Sequence, residues 1–301
     1  MSLTIEPTQP LFSFRHEAMA TEFVCMIGGV EEAYATQAAQ EAFRLFDDLE
    51  LKLSLYRENS DVSRINLAPV GAEVRISEEA ASCLELALAA SYLTKERFNA
   101  LLGAEACRAK RNLPSFLVNR ATSSDCPQTG ATLALDKTAR FVAKLHDGGL
   151  LDLGGVGKGF ALDRAMTLLA EEWEIPIVML SSGGSTLLFR APEREDPWRA
   201  LFGGQVLASL SRGAVSSSGL GFQESHIIDP NTGESRTVWR RSYVRIAEAG
   251  LADALSTGSL LMSAEEIENL TNDLVGCGIA VEPKVGTEGV LVFGPFLEGE
   301  A

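Results

Sequence analysis

Leu150-Leu151-Asp152-Leu153-Gly154-Gly155-Val156-Gly157-Lys158-Gly159-Phe160-Ala161-Leu162-Asp163-Arg164-Ala165-Met166-Thr167-Leu168-Leu169-Ala170 is the stretch on which the reading of this chain turns. Leu150, Leu151 and Leu153 form a short apolar run that ends in glycines, the pattern of a buried strand end. Gly154, Gly155, Gly157 and Gly159 follow within six residues. Such a run lets the backbone approach a ligand and adopt positive φ. From about Phe160 the pattern becomes helical: Phe160, Ala161, Ala165, Leu168 and Leu169 recur at spacings of three and four, with Asp163 and Arg164 between them. A glycine-rich turn feeding a helix N-terminus presents N–H groups and a positive dipole end, which suits a phosphate, and Lys158 adds a point charge. A plain connection between strand and helix has the same look. Two familiar templates fail. A Walker loop needs glycine where Asp152 stands and Ser or Thr where Gly159 stands, and a dinucleotide fingerprint needs its third glycine one residue later than Gly159.

The 301 residues allow one large or two ordinary domains. A 46% hydrophobic content predicts a globular chain with a sizeable core. No apolar run is long enough for a transmembrane helix. The first fourteen residues lack a basic n-region and an apolar h-region. The expected location is therefore cytoplasmic, or periplasmic if an export segment has been removed. A formal charge of −15 argues against nucleic acid and against an anionic membrane surface. Cys25, Cys83, Cys107, Cys126 and Cys277 are scattered, which fits reduced core thiols better than a disulfide framework or a zinc site. With only His16, His146 and His226 available, any metal is expected to be a hard cation on oxygen ligands.

Around the opening stretch, Phe12–Phe14 and Glu22–Ile27 read as a strand pair. Glu31–Ser54 carries an apolar stripe of Ala35, Ala38, Ala39, Ala42, Phe43, Leu45, Phe46, Leu49 and Leu53, which predicts a helix packed on a sheet. Val74–Ile76 reads as a short strand. Ser77 is an N-cap for a helix running to about Thr94, with Glu78 and Glu79 favoured by its dipole. Thr132–Leu135 with Phe141–Leu145 form a hairpin, and Ile177–Leu180, Thr186–Phe189 and Gln205–Leu210 are further strands. Ser181–Gly184 reads as a turn and Pro192–Pro197 as a polar loop. Asp253 and Thr257 lie four apart in a predicted helix, so both oxygens share one face. That pair can bind Mg²⁺, but by spacing alone an acid near a helix start beside a threonine bonded to its own helix is the commoner arrangement.

The stretch Asp152–Asp163 resembles the motif Asp-Leu-Gly-Gly-Ile-Ala-Lys-Gly-Tyr-Ala-Val-Asp of the ApbE family, the FAD:protein FMN transferases. Other segments agree in the family's order. Met19-Ala20-Thr21 is similar to Met-Gly-Thr, and Ser54 to Asn66 to Ser-x-Tyr-x-x-x-Ser-x-hydrophobic-Ser-x-hydrophobic-Asn. Ser181–Gly184 resembles Asn/Ser-x-Gly-Gly, and Ala214–Gly219 resembles Val-Ala-Thr-Ser-Gly. His226–Gly233 resembles His-Ile-Ile-Asp-Pro-x-Thr-Gly, and Ala252–Gly258 resembles Ala-Asp-Ala-Leu-Ala-Thr-Ala.

The resemblance implies an α+β fold over 1–301, one domain with a mixed, largely antiparallel sheet flanked by helices. It implies transfer of FMN from FAD to a Thr or Ser hydroxyl of an acceptor protein, with Mg²⁺ as cofactor and AMP released. The implied FAD-binding residues are Met19, Tyr56, Gly154, Lys158, Phe160 and His226. Asp253, Thr257 and the carbonyl of Gly157 are the implied metal ligands, and His226 and Asp253 the implied catalytic residues. The family's Phe-Asp-x-Thr-x-x-Pro-Leu is departed from at Phe98–Gly103, where Asn99 replaces the aspartate and the threonine is absent. An FAD pyrophosphatase that yields FMN and AMP, or a flavin-binding protein without activity, are the alternatives.

Overall fold

The computed structural model describes residues 3–7, 10–103, 107, 112–118, 132–136, 142–146, 149–192, 198–202, 205–219, 229, 237–284 and 289–296. His226, the 193–197 loop, Cys126 and most of 226–233 lie outside them. In chain order the strands and helices are β1 (Leu3–Pro7), β2 (Phe12–Ala18), β3 (Thr21–Gly28), α1 (Glu32–Leu53), α2 (Asp61–Leu67), β4 (Val74–Arg75) and α3 (Glu78–Leu93). Next come β5 (Thr132–Asp136), β6 (Val142–His146), α4 (Gly157–Thr167), β7 (Ile177–Ser182), β8 (Thr186–Arg190), β9 (Trp198–Phe202), β10 (Gln205–Leu210) and β11 (Arg212–Gly219). The last are β12 (Arg241–Ile246), α5 (Ala249–Ser259), α6 (Ala264–Asp273), β13 (Gly278–Glu282) and β14 (Leu291–Phe293).

Eight strands form the main sheet in the order β14-β13-β12-β11-β8-β7-β3-β2, and every ladder in it is antiparallel. Strands β1-β9-β10 and β4-β6-β5 form two smaller antiparallel sheets. The α+β expectation holds. Each residue of β7 is buried, because the sheet is covered on both faces. Val178 and Leu180 turn into the main core with α1 and α4, whereas Ile177 and Met179 meet Phe189, Val215 and the fully buried Trp198 on the other side. Alternate residues of a strand face opposite ways, so one sequence run serves both layers.

Local signals set most boundaries. The alanine-rich stripe of α1 is buried from Ala35 to Leu53. Ser77 caps α3 as expected, its hydroxyl accepting the Ala80 N–H. Ser263 and Glu266 make a reciprocal capping box on α6. Cys25, Cys83, Cys107 and Cys277 are buried and form no disulfide among the described residues, and burial pushes Cys25 and Cys277 up to about 12.

The central stretch departs from its reading in three ways. Leu150, Leu151 and Leu153 are buried, but the segment joins no ladder; its one pairing is an isolated parallel bridge from Leu150 to Leu102. Its backbone is satisfied by segment 100–103 and by Asn66, whose side chain bonds both the N–H and the carbonyl of Leu151 (2.7 and 2.9 Å). Helix α4 begins at Gly157, so two of the four glycines are helical. None of those four has positive φ. They serve close approach: a Cβ on Gly159 would lie 2.2 Å from the Ala249 carbonyl oxygen, and one on Gly155 would lie 3.0 Å from the Phe98 ring.

Candidate active site

The contact at Gly159 brings the first turn of α4 against the first turn of α5. A Cβ on Gly250 would in turn meet Leu86 at 2.5 Å and the Phe160 backbone at 3.1 Å. Asp163, one turn further along α4, accepts the N–H groups of Ala249 (2.7 Å) and Gly250 (2.8 Å). It thereby caps α5, whose N-cap residue Glu248 offers no side-chain bond of its own. Burial raises the Asp163 carboxyl to about 6 even though those N–H groups favour its charge.

This junction sets Lys158 over Asp253. Asp253 is 5% exposed, in the second turn of α5. Its carboxylate meets the Gly159 N–H and the Thr186 hydroxyl at 3.4 Å and the Lys158 ammonium at 3.5 Å. All three distances are long for a buried carboxylate, so its lone pairs are under-used. Lys158 donates to the Gly154 carbonyl at 2.6 Å. Thr257, one turn after Asp253, lies 3.2 Å from Ser218. Asp253 is thus more buried than a residue of a solvated cleft, yet it borders a cavity of about 360 Å³ together with Thr257, Lys158, Ser218, Asp152 and Arg97.

A second cavity of about 380 Å³ adjoins it. Its walls include Met19, Glu50, Tyr56, Asn112 and Gly157. Asp152, Gly154 and Lys158 line both. Tyr56 is 47% exposed and its hydroxyl accepts from Asn112 at 2.8 Å. Partial burial lifts its phenol to about 12, so it is neutral at ordinary pH. The other residues matched beside Tyr56 work structurally: Ser60 caps α2, Ser63 bonds the Leu55 carbonyl, and Asn66 holds Leu151. Met19 and Ala20 both have left-handed backbones (φ 50° and 57°), a conformation that costs a side-chain-bearing residue free energy. The turn is held by Glu50, which accepts the Met19 N–H at 2.9 Å and pairs with Arg57 at 3.0 Å.

Met19, Tyr56, Gly154, Lys158 and Gly157 therefore share one lobe, and Asp253, Thr257, Gly154 and Lys158 the other. Phe160 is not brought to either; it is 6% exposed in the main core and borders a separate cavity on the far side of α4. His226 lies outside the described residues. Asn99 keeps the local turn, its amide oxygen accepting the Leu101 N–H at 2.8 Å while it lines the Asp253 lobe. Two charged groups of the cleft escaped the sequence reading. Glu50 sits on the buried edge of a helix otherwise read as packing. Arg97 enters through the left-handed pair Lys95-Glu96 and is paired with Glu266 (3.2 Å) and Asp229 (3.6 Å). Neither Lys95 nor Glu96 is a glycine or asparagine, so no turn signal marks that bend.

Among the described residues no three His, Cys, Asp or Glu side chains gather as a metal cluster, and no helix is long and apolar enough to cross a membrane. The ApbE family model matches residues 19–279. The FAD:protein FMN transferase of Treponema pallidum is 25% identical, over 79% of this chain and 75% of its own. Crystal structures share the fold: the ApbE protein of Thermotoga maritima superposes with a TM-score of 0.77 at 21% identity, covering 94% of this chain and 97% of that one. The flavin transferase ApbE of Vibrio cholerae gives 0.75 at 17%, covering 94% and 96%. The matched segments, read in this order on this sheet, make the chain a member of the ApbE family.

Proposed function

We propose that this chain is a FAD:protein FMN transferase that uses Mg²⁺, moves FMN to a Thr or Ser hydroxyl of an acceptor protein, and releases AMP. The observation that carries the reading is the pair of cavities joined along Asp152–Lys158. FAD has two aromatic ends and a pyrophosphate between them. A cleft with two lobes and an ammonium at their boundary has the matching distribution of shape and charge.

In the reaction the acceptor oxygen bonds to the phosphorus on the riboflavin side. The bond from that phosphorus to the oxygen bridging to AMP breaks, the hydroxyl proton is released, and AMP departs with the bridging oxygen. Catalysis rests on positioning and on charge stabilisation. Lys158, at the start of α4, lies where a developing negative charge also meets the helix's positive end. The donor set fits a hard cation: an under-used buried carboxylate (Asp253), a hydroxyl one turn on (Thr257) and, by resemblance, the Gly157 carbonyl. Bound Mg²⁺ neutralises charge on the pyrophosphate.

Incubation with FAD, Mg²⁺ and a threonine-bearing acceptor protein tests the reading. Equal amounts of AMP and flavin-modified acceptor are expected. AMP without modified acceptor would make the protein a pyrophosphatase; neither product would make it a binder.

A further inference from the structure

Behind Asp253 and Thr257 runs a chain of hydroxyls that the transfer chemistry described above does not use. Thr186, Ser216 and Ser256 are fully buried. Thr186 donates to Asp253 Oδ1 (3.4 Å) and meets Ser216 at 2.9 Å; Ser216 meets Ser256 at 3.3 Å; Ser256 meets Ser218 at 2.8 Å; Ser218 meets Thr257 at 3.2 Å. The first two sit on β8 and β11, the others on β11 and α5, so the chain ties the sheet to the helix. In the ApbE motifs quoted above, the positions of Ser216 and Ser256 are both alanine, and here the two added hydroxyls touch each other.

Each hydroxyl has one proton, which sets the direction of the chain. Ser256 donates to the Asp253 carbonyl oxygen (2.9 Å), sharing that proton with Ser216, and so accepts from Ser218. Ser218, its proton spent, leaves the Thr257 proton shared between its own oxygen (3.2 Å) and the Asp253 carbonyl oxygen (3.4 Å). Thr257 then turns only lone pairs to the cavity. On the other arm Ser216 donates to Thr186, which frees the Thr186 proton for Asp253. Both cavity oxygens are left aligned as acceptors.

We infer that Ser216 and Ser256 are positioning residues that orient Asp253 and Thr257 as cation ligands. This rests on the metal reading above. The test is the Mg²⁺ concentration that half-saturates thermal stabilisation of the FAD-free protein. Ser216→Ala and Ser256→Ala should each raise it about tenfold. The double variant should be worse than either single, because Ser216 backs Asp253 on one arm and Ser256 backs Thr257 on the other. Ser259→Ala, on the same helix but bonded only back to Leu255, should leave it within twofold. Unchanged single variants, a double variant no worse than either single, or an equal effect at Ser259 would each overturn the inference while the parent still binds Mg²⁺. A parent that shows no Mg²⁺ stabilisation would remove the metal reading itself, and this inference with it.

Discussion

Asp253 is 5% exposed and Tyr56 is 47% exposed, though both border the same segment, Asp152–Lys158. The Asp253 wall is made where two helices touch through glycine and a buried carboxylate caps one with the other. It is over-determined: neither helix can move without breaking backbone contacts. The Tyr56 wall is a surface loop held by an amide on one side, with a strained turn latched by Glu50 on the other. The difference separates two demands. Charge on a transferring phosphoryl needs ligands fixed in advance, whereas an aromatic ring needs a face and tolerates adjustment.

The strongest way to break this contrast is Gly159→Ala. Its new methyl would lie 2.2 Å from the Ala249 oxygen, and forcing backbone apart costs about 3 kcal/mol or more. Denaturant unfolding should show that loss. Gly157→Ala, two residues earlier, puts its methyl an ordinary 3.5 Å from Met19 and should cost nothing, because alanine favours a helix by about 1 kcal/mol. Equal losses would mean that the helices do not meet at Gly159.

Next in size is Asp253→Ala. Metal stabilisation of phosphoryl transfer is worth several kcal/mol. At about 1.4 kcal/mol per factor of ten, AMP release should fall roughly 10²-fold, with FAD binding less affected. A folded variant that releases AMP at the parent rate would remove Asp253 from the proposed metal ligands.

Tyr56→Ala should act on the other axis. Loss of one aromatic face, about 1.4 kcal/mol, should raise the KM for FAD about tenfold and leave kcat within about threefold. A fall in kcat alone would place Tyr56 on the rigid side of the comparison.

Asp163 gives a different kind of contrast, read in the pH dependence of stability. Its folded pKa, about 6, lies above the ordinary 3.8. Between those values the folded state binds the proton more tightly than the unfolded chain, so protonation stabilises fully below the ordinary value and is lost as pH rises through about 6. The parent should therefore lose stability relative to Asp163→Asn between pH 4 and 7. A constant difference in unfolding midpoints would show that the cap, not burial, governs this group.

Residues near each other in sequence made most elements legible. The stripe of α1, the Ser77 cap, the Asp253–Thr257 spacing and the segments that resemble the ApbE motifs all depend on neighbours within a few residues. They specified the α+β class; of the residues they singled out, Met19, Tyr56, Gly154, Gly157, Lys158, Asp253 and Thr257 line the two cavities, whereas a helix turn carries Phe160 into the core. What the glycines were for was not legible, because a run of glycine fits both a left-handed loop and a close crossing.

By itself, then, the sequence determined helices α1 and α3, the Ser77 cap, the family and the pairing of an acid with a hydroxyl one turn away. Only the tertiary structure decided that Lys158 stands over Asp253, that Glu50 latches Met19, and that Thr186, Ser216 and Ser256 back the site. Those contacts join residues 95, 31, 30 and 40 positions apart. Periodicity reports which face of an element is apolar; it holds no term for which element that face will meet.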